Sequence, residues 1–387
     1  MVCKCCIFGF NWCWLIVYFQ NHKMVIIYCL FILYLCLMFI SIIGFLRTTK
    51  ALKSEDSDAF ITLIIPYRNE EYRIQNLLTS LEIQKDISSV SKIIFVDDHS
   101  TDSTRKNINN WILKQDLNCE SLFLDKYHGK KRAIDLGVQN STSEFVMIMD
   151  ADISFKDVFF TSIKKNIDLS YDLYLTAVVE NNGIVWSRIL SYSISVISIG
   201  MANLGIPILA NGAGLIFRRK SYNELMPFYS NFNISSGDDM YLLNSFLSNK
   251  KSIKTLFNSN LFIQTQGSRD LQDMVERSLR WSGKMKMKGL ITTKLVGLLV
   301  VICNLLIIPL TALSIFKFEW LFFLLLLLKL LPDLLVLITG SFFYKENKLW
   351  KYSLPMFLLY PLILILIILL QVTKYKVKWK ERDLLNI

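Results

Sequence analysis

Glu144-Phe-Val-Met-Ile-Met-Asp-Ala-Asp152 is the stretch on which the fold turns. An apolar run this short, ending in acids, reads as a buried strand that delivers Asp150 and Asp152 to the carboxyl edge of an α/β sheet, where open sheets bind ligands. Carboxylates are hard oxygen ligands, suited to Mg2+ or Mn2+, and those ions commonly bridge a protein to a diphosphate. Alone, Asp-x-Asp also occurs in loops and helix caps, where the acids only accept backbone hydrogen bonds. Its meaning therefore depends on what surrounds it.

Upstream, strands and helices alternate. Ile61-Thr-Leu-Ile-Ile65 ends at Pro66, and Glu70–Gln84 follows with Ile74, Leu77, Leu78 and Leu81 at helical spacing. Lys92-Ile-Ile-Phe-Val96 ends in Asp97 and Asp98, with Asp102 placed to open the next helix. Ser121–Leu124 and a helix through Ala133 to Val138 complete the series before the strand at Glu144. This repetition predicts a doubly wound, mostly parallel sheet. Parallel strands share direction, so Pro66–Glu70, Asp97–Ser100 and Asp150–Asp152 all project from one edge. No Gly-x-Gly-x-x-Gly follows the first strand and no P-loop is present, which excludes the common dehydrogenase and NTPase fingerprints.

The chain has 387 residues, 53% of them hydrophobic, and the apolar residues are unevenly spread. Met24–Leu46 exceeds the roughly 20 residues that cross a bilayer as a helix. It lacks a small-residue cleavage site, so a retained anchor is expected. Three further candidates lie at about 290–316, 320–340 and 353–372, leaving residues 55–285 as one soluble domain. Residues 1–23 form an N-terminal tail whose translation is open, since Met24 directly precedes the apolar run. Ile184–Leu209, apolar but broken by Arg188, Asn203, Gly205 and Pro207, is expected to lie on the membrane surface, as is 269–288.

The net charge of +11 is concentrated beside these spans: Arg47, Lys50 and Lys53, then Lys284, Lys286 and Lys288, then Lys374, Lys376, Lys378 and Lys380. Membrane electrostatics explain this distribution better than nucleic acid does. The first two clusters place the middle domain in the cytoplasm. Three C-terminal spans would then carry the basic tail 373–387 outside, against the same rule. Either one candidate lies in the interface, or Ile7–Phe19 also enters the membrane, or the rule is broken. Lys329 and Asp333, four apart, are placed to pair on one helix face. The eight cysteines form no disulfide framework, and Cys3-Lys-Cys-Cys6 lacks the ligands of a zinc set.

Ile64-Ile-Pro-Tyr-Arg-Asn-Glu70, Val96-Asp-Asp-His-Ser-Thr-Asp102, Gly129-Lys-Lys-Arg-Ala133, Asp150-Ala-Asp152, Gly237-Asp-Asp239 and Arg280-Trp281 together resemble the ordered motifs of membrane-bound family 2 glycosyltransferases. The resemblance covers about residues 60–285 and implies a GT-A fold. By that resemblance Pro66, Tyr67 and Glu70 line a nucleotide pocket, Asp98 contacts base or ribose, and Lys130 lies near the nucleotide. Asp150 and Asp152 would engage a UDP- or GDP-sugar and its Mg2+ or Mn2+. Asp239 falls at the position of the catalytic base, with Asp238 beside it as a diphosphate contact or helix cap. Asn211 and Gly212 resemble the acceptor loop, Arg280 would meet diphosphate, and Trp281 would stack near the acceptor.

One departure is informative. Membrane-bound members often show Gln-x-x-Arg-Trp, whereas this chain has Arg277-Ser-Leu-Arg280-Trp281. An arginine there also occurs in the related ceramide glucosyltransferases, which favours a lipid or lipid-linked acceptor over a processive polysaccharide synthase. The expectation is an inverting glycosyltransferase, with a non-catalytic scaffold of the same fold as the reading from a different class. The sugar, the nucleobase and the acceptor are not encoded in spacing.

Overall fold

The computed structural model describes residues 12–47, 60–234, 237–283, 291–317, 320–346, 348–373, 375, 378–379 and 382–383. Lys50, Lys53, Lys284, Lys286, Lys288, Lys374, Lys376 and Lys380 of the basic clusters lie outside the described residues, as does Cys3-Lys-Cys-Cys6. The chain opens with α1 (Trp12–Phe45), which begins before the apolar run expected from Met24. The domain then runs β1 (Ile61–Tyr67), α2 (Ile74–Glu82), β2 (Val90–Asp97), α3 (Thr104–Ile112), β3 (Cys119–Phe123), α4 (Lys130–Gln139), β4 (Phe145–Met149), β5 (Ile153–Ser154) and α5 (Phe159–Lys164). It continues with β6 (Leu173–Asn181), α6 (Val185–Asn203), β7 (Gly214–Arg218), α7 (Arg219–Leu225), α8 (Asp238–Ser248), β8 (Ile253–Leu256), β9 (Phe262–Gln266) and α9 (Leu271–Gly283). The remaining helices are α10 (Ile291–Leu305), α11 (Ile307–Lys317), α12 (Trp320–Phe343) and α13 (Ser353–Val372).

The strands lie in the order β3-β2-β1-β4-β7-β6-β9-β5, with β8 also pairing β6. β1 pairs in parallel with β2 and β4, so Tyr67, Asp97 and Met149 end at one edge. β1 and β4 are buried at every position, as a central parallel strand covered on both faces must be. One face carries α2, α3 and α5, through Leu77, Trp111 and Phe160; the other carries α4 and α8, through Ile134 and Leu243. The fold is therefore the mostly parallel, Rossmann-like α/β sheet read from the strand-helix repetition. β7 is antiparallel to both β4 and β6, an inversion that the alternation upstream of Asp150 does not encode. The helix expected from Glu70 starts only at Ile74, because residues 70–73 form a turn whose backbone is used by the neighbouring loop.

Among the described residues, five helical stretches are long and apolar enough to cross a membrane: Met24–Phe45, Val185–Asn203, Ile291–Phe316, Trp320–Phe343 and Leu349–Val372. α6 is ruled out as a crossing by its flanks, since β6 before it and β7 after it pair with each other at Leu173 and Phe217 in one sheet. It packs instead along α1. The contact is backbone-close: a Cβ on Gly200 would stand 2.0 Å from the Ser41 carbonyl oxygen, and one on Gly44 would stand 2.1 Å from that of Gly200. Asn203 closes the pair by donating to the Gly44 and Arg47 carbonyls, both at 2.9 Å. Inside the helical bundle Lys329 and Asp333 do pair, and the Tyr34 hydroxyl donates to Asp333 at 2.5 Å.

Small residues allow this approach and any side chain forbids it. Gly200→Val should force α6 off α1 and destabilise the protein by about 1–3 kcal/mol, the range for overpacked sites. Thermal unfolding of the purified variant in detergent checks this, with an unchanged midpoint counting against the close crossing.

Candidate active site

The site begins with two interlocked loops. The turns after β1 and β2 pass through left-handed backbone at Asn69 (φ 48°) and His99 (φ 60°). Arg68 donates to the carbonyls of Asp98 (2.8 Å) and His99 (3.0 Å), and the Glu70 amide donates to Thr104 Oγ1 at 2.7 Å. The Glu71 amide donates to Asp102 Oδ2 at 3.1 Å, while Glu71 accepts from the Ser103 amide at 3.0 Å. Asp102, expected to open a helix, precedes the Ser103 cap of α3; its Oδ1 accepts from the Thr104 amide at 3.0 Å while Oδ2 fastens the β1 loop. Asp98 Oδ1 accepts from the Gly129 amide at 3.0 Å, tying in the loop that leads to Lys130. Gly129 sits at φ 111°, where a side chain would be strained, and directly precedes α4.

Lys130 is the electrostatic centre. Its ammonium lies 2.7 Å from Asp150 Oδ1 and 2.9 Å from Asp238 Oδ2, joining the end of β4 to the start of α8. Burial alone would depress this amine, but the two carboxylates outweigh it and hold its pKa above the ordinary lysine range. Asp152 is neutralised separately by Arg73 at 3.3 Å, and Arg73 also meets Glu70 at 2.6 Å. Gly212 is packed behind Lys130: a Cβ there would fall 2.7 Å from Asp238 Oδ2 and 3.0 Å from Lys130 Nζ. Lys131 points the other way, donating to the Asn231 and Ile234 carbonyls at 3.1 and 3.0 Å. Burial pushes its amine down to about 8, against the pull of Asp238 and Asp239.

A cavity of about 910 Å³ opens on this edge. Pro66, Tyr67, Glu70 and Asp98 line it together with Lys130, Asp150 and Asp152. Asp239, 5% exposed, also faces it, with one carboxylate oxygen accepting from the Met240 amide at 2.7 Å. Burial and the Asp97 charge raise the Tyr67 hydroxyl above its ordinary range. Asn211, Arg280 and Trp281 line the cavity too, so residues far apart in sequence are brought together as expected. Asp238 is the first residue of α8, and Gly237 occupies the cap. Asp150 and Asp152 supply carboxylate oxygens of the kind that Mg2+ or Mn2+ prefers, paired here with Lys130 and Arg73.

Glu180, like Arg73 and Lys294, is a cavity residue that sequence reasoning missed. It is 3% exposed at the end of β6, lines the cavity, and lies 3.2 Å from Arg277. Ser187 donates to the same carboxylate, and the Ser268 amide reaches it at 3.4 Å. The arginine that replaces the commoner glutamine is thus matched by a buried acid from another strand. That pairing anchors α9, which in turn carries Arg280 and Trp281. Burial and the neighbouring Arg277 charge lower the Arg280 guanidinium from its ordinary value, and it has no ion-pair partner among the described residues.

Residues 62–226 match the family model Glycosyl transferase family 2. That stretch is similar to the family 2 glycosyltransferases. Asp150 and Asp152 fall within the matched residues, whereas Asp239, Arg280 and Trp281 lie beyond them. The chain is 31% identical over 114 residues to a dolichyl-phosphate β-glucosyltransferase of Dictyostelium discoideum, covering 27% of this chain and 35% of that one. It is 26% identical over 124 residues to an undecaprenyl-phosphate 4-deoxy-4-formamido-L-arabinose transferase of Pseudomonas fluorescens, covering 32% of this chain and 36% of the relative. Each match therefore spans about a third of the relative. Among solved structures, a mannosyltransferase of Pyrobaculum calidifontis in complex with GDP-Man and Mn2+ superposes with a TM-score of 0.55 at 13% identity, over 91% of this chain and 97% of that one. This confirms the GT-A fold.

Removing one member of a buried ion pair leaves an uncompensated charge, whereas removing both does not. Glu180→Gln and Arg277→Gln should each destabilise the domain by about 3–5 kcal/mol. The Glu180→Gln/Arg277→Gln double variant should recover most of that loss. Unfolding of the four proteins in a double-mutant cycle checks the pairing, and additive losses would refute it.

Proposed function

We propose that the protein is an inverting glycosyltransferase that moves a sugar from a nucleoside-diphosphate sugar onto a lipid phosphate, with its catalytic domain on the cytoplasmic face of a membrane. The observation that carries this reading is the continuity of the cavity. From Asp98, Lys130 and Asp150 it runs without interruption to Ile197, Val300, Leu364 and Ile368 on α6, α10 and α13. A nucleotide-sugar fits the first end and a hydrocarbon tail the second. At the junction Arg280 and Lys294 line the wall, cations suited to an acceptor phosphate. The lipid phosphates in the names of the two relatives, dolichyl and undecaprenyl phosphate, have this combination of charged head and long apolar tail.

In the reaction an acceptor oxygen forms a bond to the anomeric carbon as that carbon's bond to the β-phosphate oxygen breaks, and the nucleoside diphosphate departs. Asp150 and Asp152 would hold Mg2+ or Mn2+, which supplies positive charge against the leaving diphosphate. Lys130 keeps its own positive charge beside the same oxygens because two carboxylates sustain it. Asp98 and Tyr67 border the nucleoside end, and Trp281 and Asn211 the acceptor end. For a hydroxyl acceptor, Asp239 is the group placed to take the proton. A phosphate monoester is already anionic at neutral pH, so its attack needs orientation by Arg280 and Lys294 more than deprotonation. A single displacement inverts the anomeric centre.

Three measurements bear on this. Membranes supplied with labelled UDP- or GDP-sugars and polyprenyl phosphate should form a lipid-soluble product; a long water-soluble polymer would instead support the processive synthase. NMR of the product should show the anomeric configuration opposite to that of the donor. Asp150→Asn and Asp152→Asn should each abolish the divalent-metal dependence of nucleotide binding and lower turnover by 100-fold or more, on the order of one lost electrostatic contact in a transition state. Wild-type behaviour in both variants would favour the scaffold.

A further inference from the structure

α13 is 20 residues long and apolar all round, with no charged side chain. Its length, about 30 Å at 1.5 Å per residue, equals the hydrocarbon thickness of a bilayer. By composition it is a crossing, and as a crossing it would hold one end about 30 Å from the catalytic edge. The contacts say otherwise. Tyr352, immediately before α13, meets the Trp186 ring at 6.0 Å, and Trp186 lies in the first turn of α6. At the other end Gln371 donates to Ser282 on α9. Between them Ile363 and Ile367 pack with Met274 and Leu279 of α9, joined by Ile184 and Leu190.

Both anchors belong to the same rim of the catalytic domain. Ile184 donates its amide to the Ser268 carbonyl at 2.9 Å, close to the end of β6, and α9 is fixed to β6 through Arg277 and Glu180. The two ends of α13, about 30 Å apart along the helix, are therefore both tied to the catalytic domain. The other helices behave differently. α10 starts at the domain, where Thr293 donates to the Ile208 carbonyl at 2.6 Å, and continues through α11 away from it. α12 returns: Trp320 is 70% exposed, while Phe343 stacks on Phe257 and Tyr344 meets Phe262 edge-on.

We propose that α13 does not cross the membrane but lies along it, sunk in the near leaflet across the top of the catalytic edge. The chain then crosses with α1, with α10 and α11 together, and with α12. Its exposed stripe, Leu354, Leu358, Leu362, Leu366 and Leu369, faces lipid, while Leu364, Ile367 and Gln371 wall the cavity. Lack of a polar face is what a helix seated below the head groups requires, unlike an amphipathic surface helix. The chain leaves α13 at Thr373 on the catalytic side, so the described basic residues that follow, Lys378 and Arg382, share a side with the domain. That arrangement satisfies the positive-inside rule and presents the tail to anionic head groups. It also resolves the conflict between charge and span count, because one of the three C-terminal candidates is not a crossing.

The placement is independent of the reaction and is tested without activity. Three full-length versions carry one epitope each: after Ile387, between residues 318 and 319, or between Asp116 and Leu117 in the domain. In sealed vesicles of known orientation, external protease should remove the tail and domain epitopes from the same vesicle population and leave the 318–319 epitope intact. In the opposite population only the 318–319 epitope should be lost. A tail epitope protected where the domain epitope is cut would overturn the proposal, as would loss of the 318–319 epitope from the domain side.

Discussion

Carboxylates crowded on one sheet edge repel one another, and the structure depends on how that repulsion is met. Parallel pairing of β1, β2 and β4 leaves no choice about where Glu70, Asp98, Asp150 and Asp152 go, since strands that share direction end together. Lys130 answers part of the problem by standing between Asp150 and Asp238, and Arg73 answers another part between Glu70 and Asp152. Lys130 begins α4 and Asp238 begins α8, so the same interactions that balance charge also set where the two helices start. Glu180 and Arg277 repeat the device on the membrane side of the cavity. Local charge balance and tertiary architecture are one requirement here.

Much of this was legible in the residues. The buried strand before Asp150, the shared edge and the helical spacing of Ile74, Leu77, Leu78 and Leu81 follow from periodicity, which burial enforces. The motif residues from Pro66 to Trp281 converge on one cavity because short apolar strands and the turns after them fix position with little freedom. What could not be read has a physical reason in each case. The antiparallel β7 depends on pairing across a long excursion through α6, and local pattern carries no information about it. Glu180 is one acid in an ordinary strand, and only its distance of 3.2 Å from Arg277, 97 positions later, reveals its role. Its one trace in the sequence was indirect: a cation at the position where a neutral amide is commoner needs a counter-charge somewhere.

The membrane helices show the limit of composition in a different way. α6, α12 and α13 all pass the length and apolarity threshold, yet α6 lies along the domain. Hydropathy measures what a helix can be surrounded by, whereas direction is set by what its ends are attached to. The basic clusters carried that missing information, because charge beside a span reports sidedness independently of length.

The glycine crossing of α1 and α6 has a mechanical consequence. With Ser41, Gly44 and Gly200 in backbone contact and Asn203 bolted to the end of α1, there is no slack between the anchor and the strand-helix unit that borders the cavity. A tethered domain could sweep the surface for its substrate; a welded one cannot. On the proposed reaction, capture becomes a two-dimensional search in which the lipid diffuses laterally to a stationary slot, so turnover at low acceptor density would track membrane viscosity.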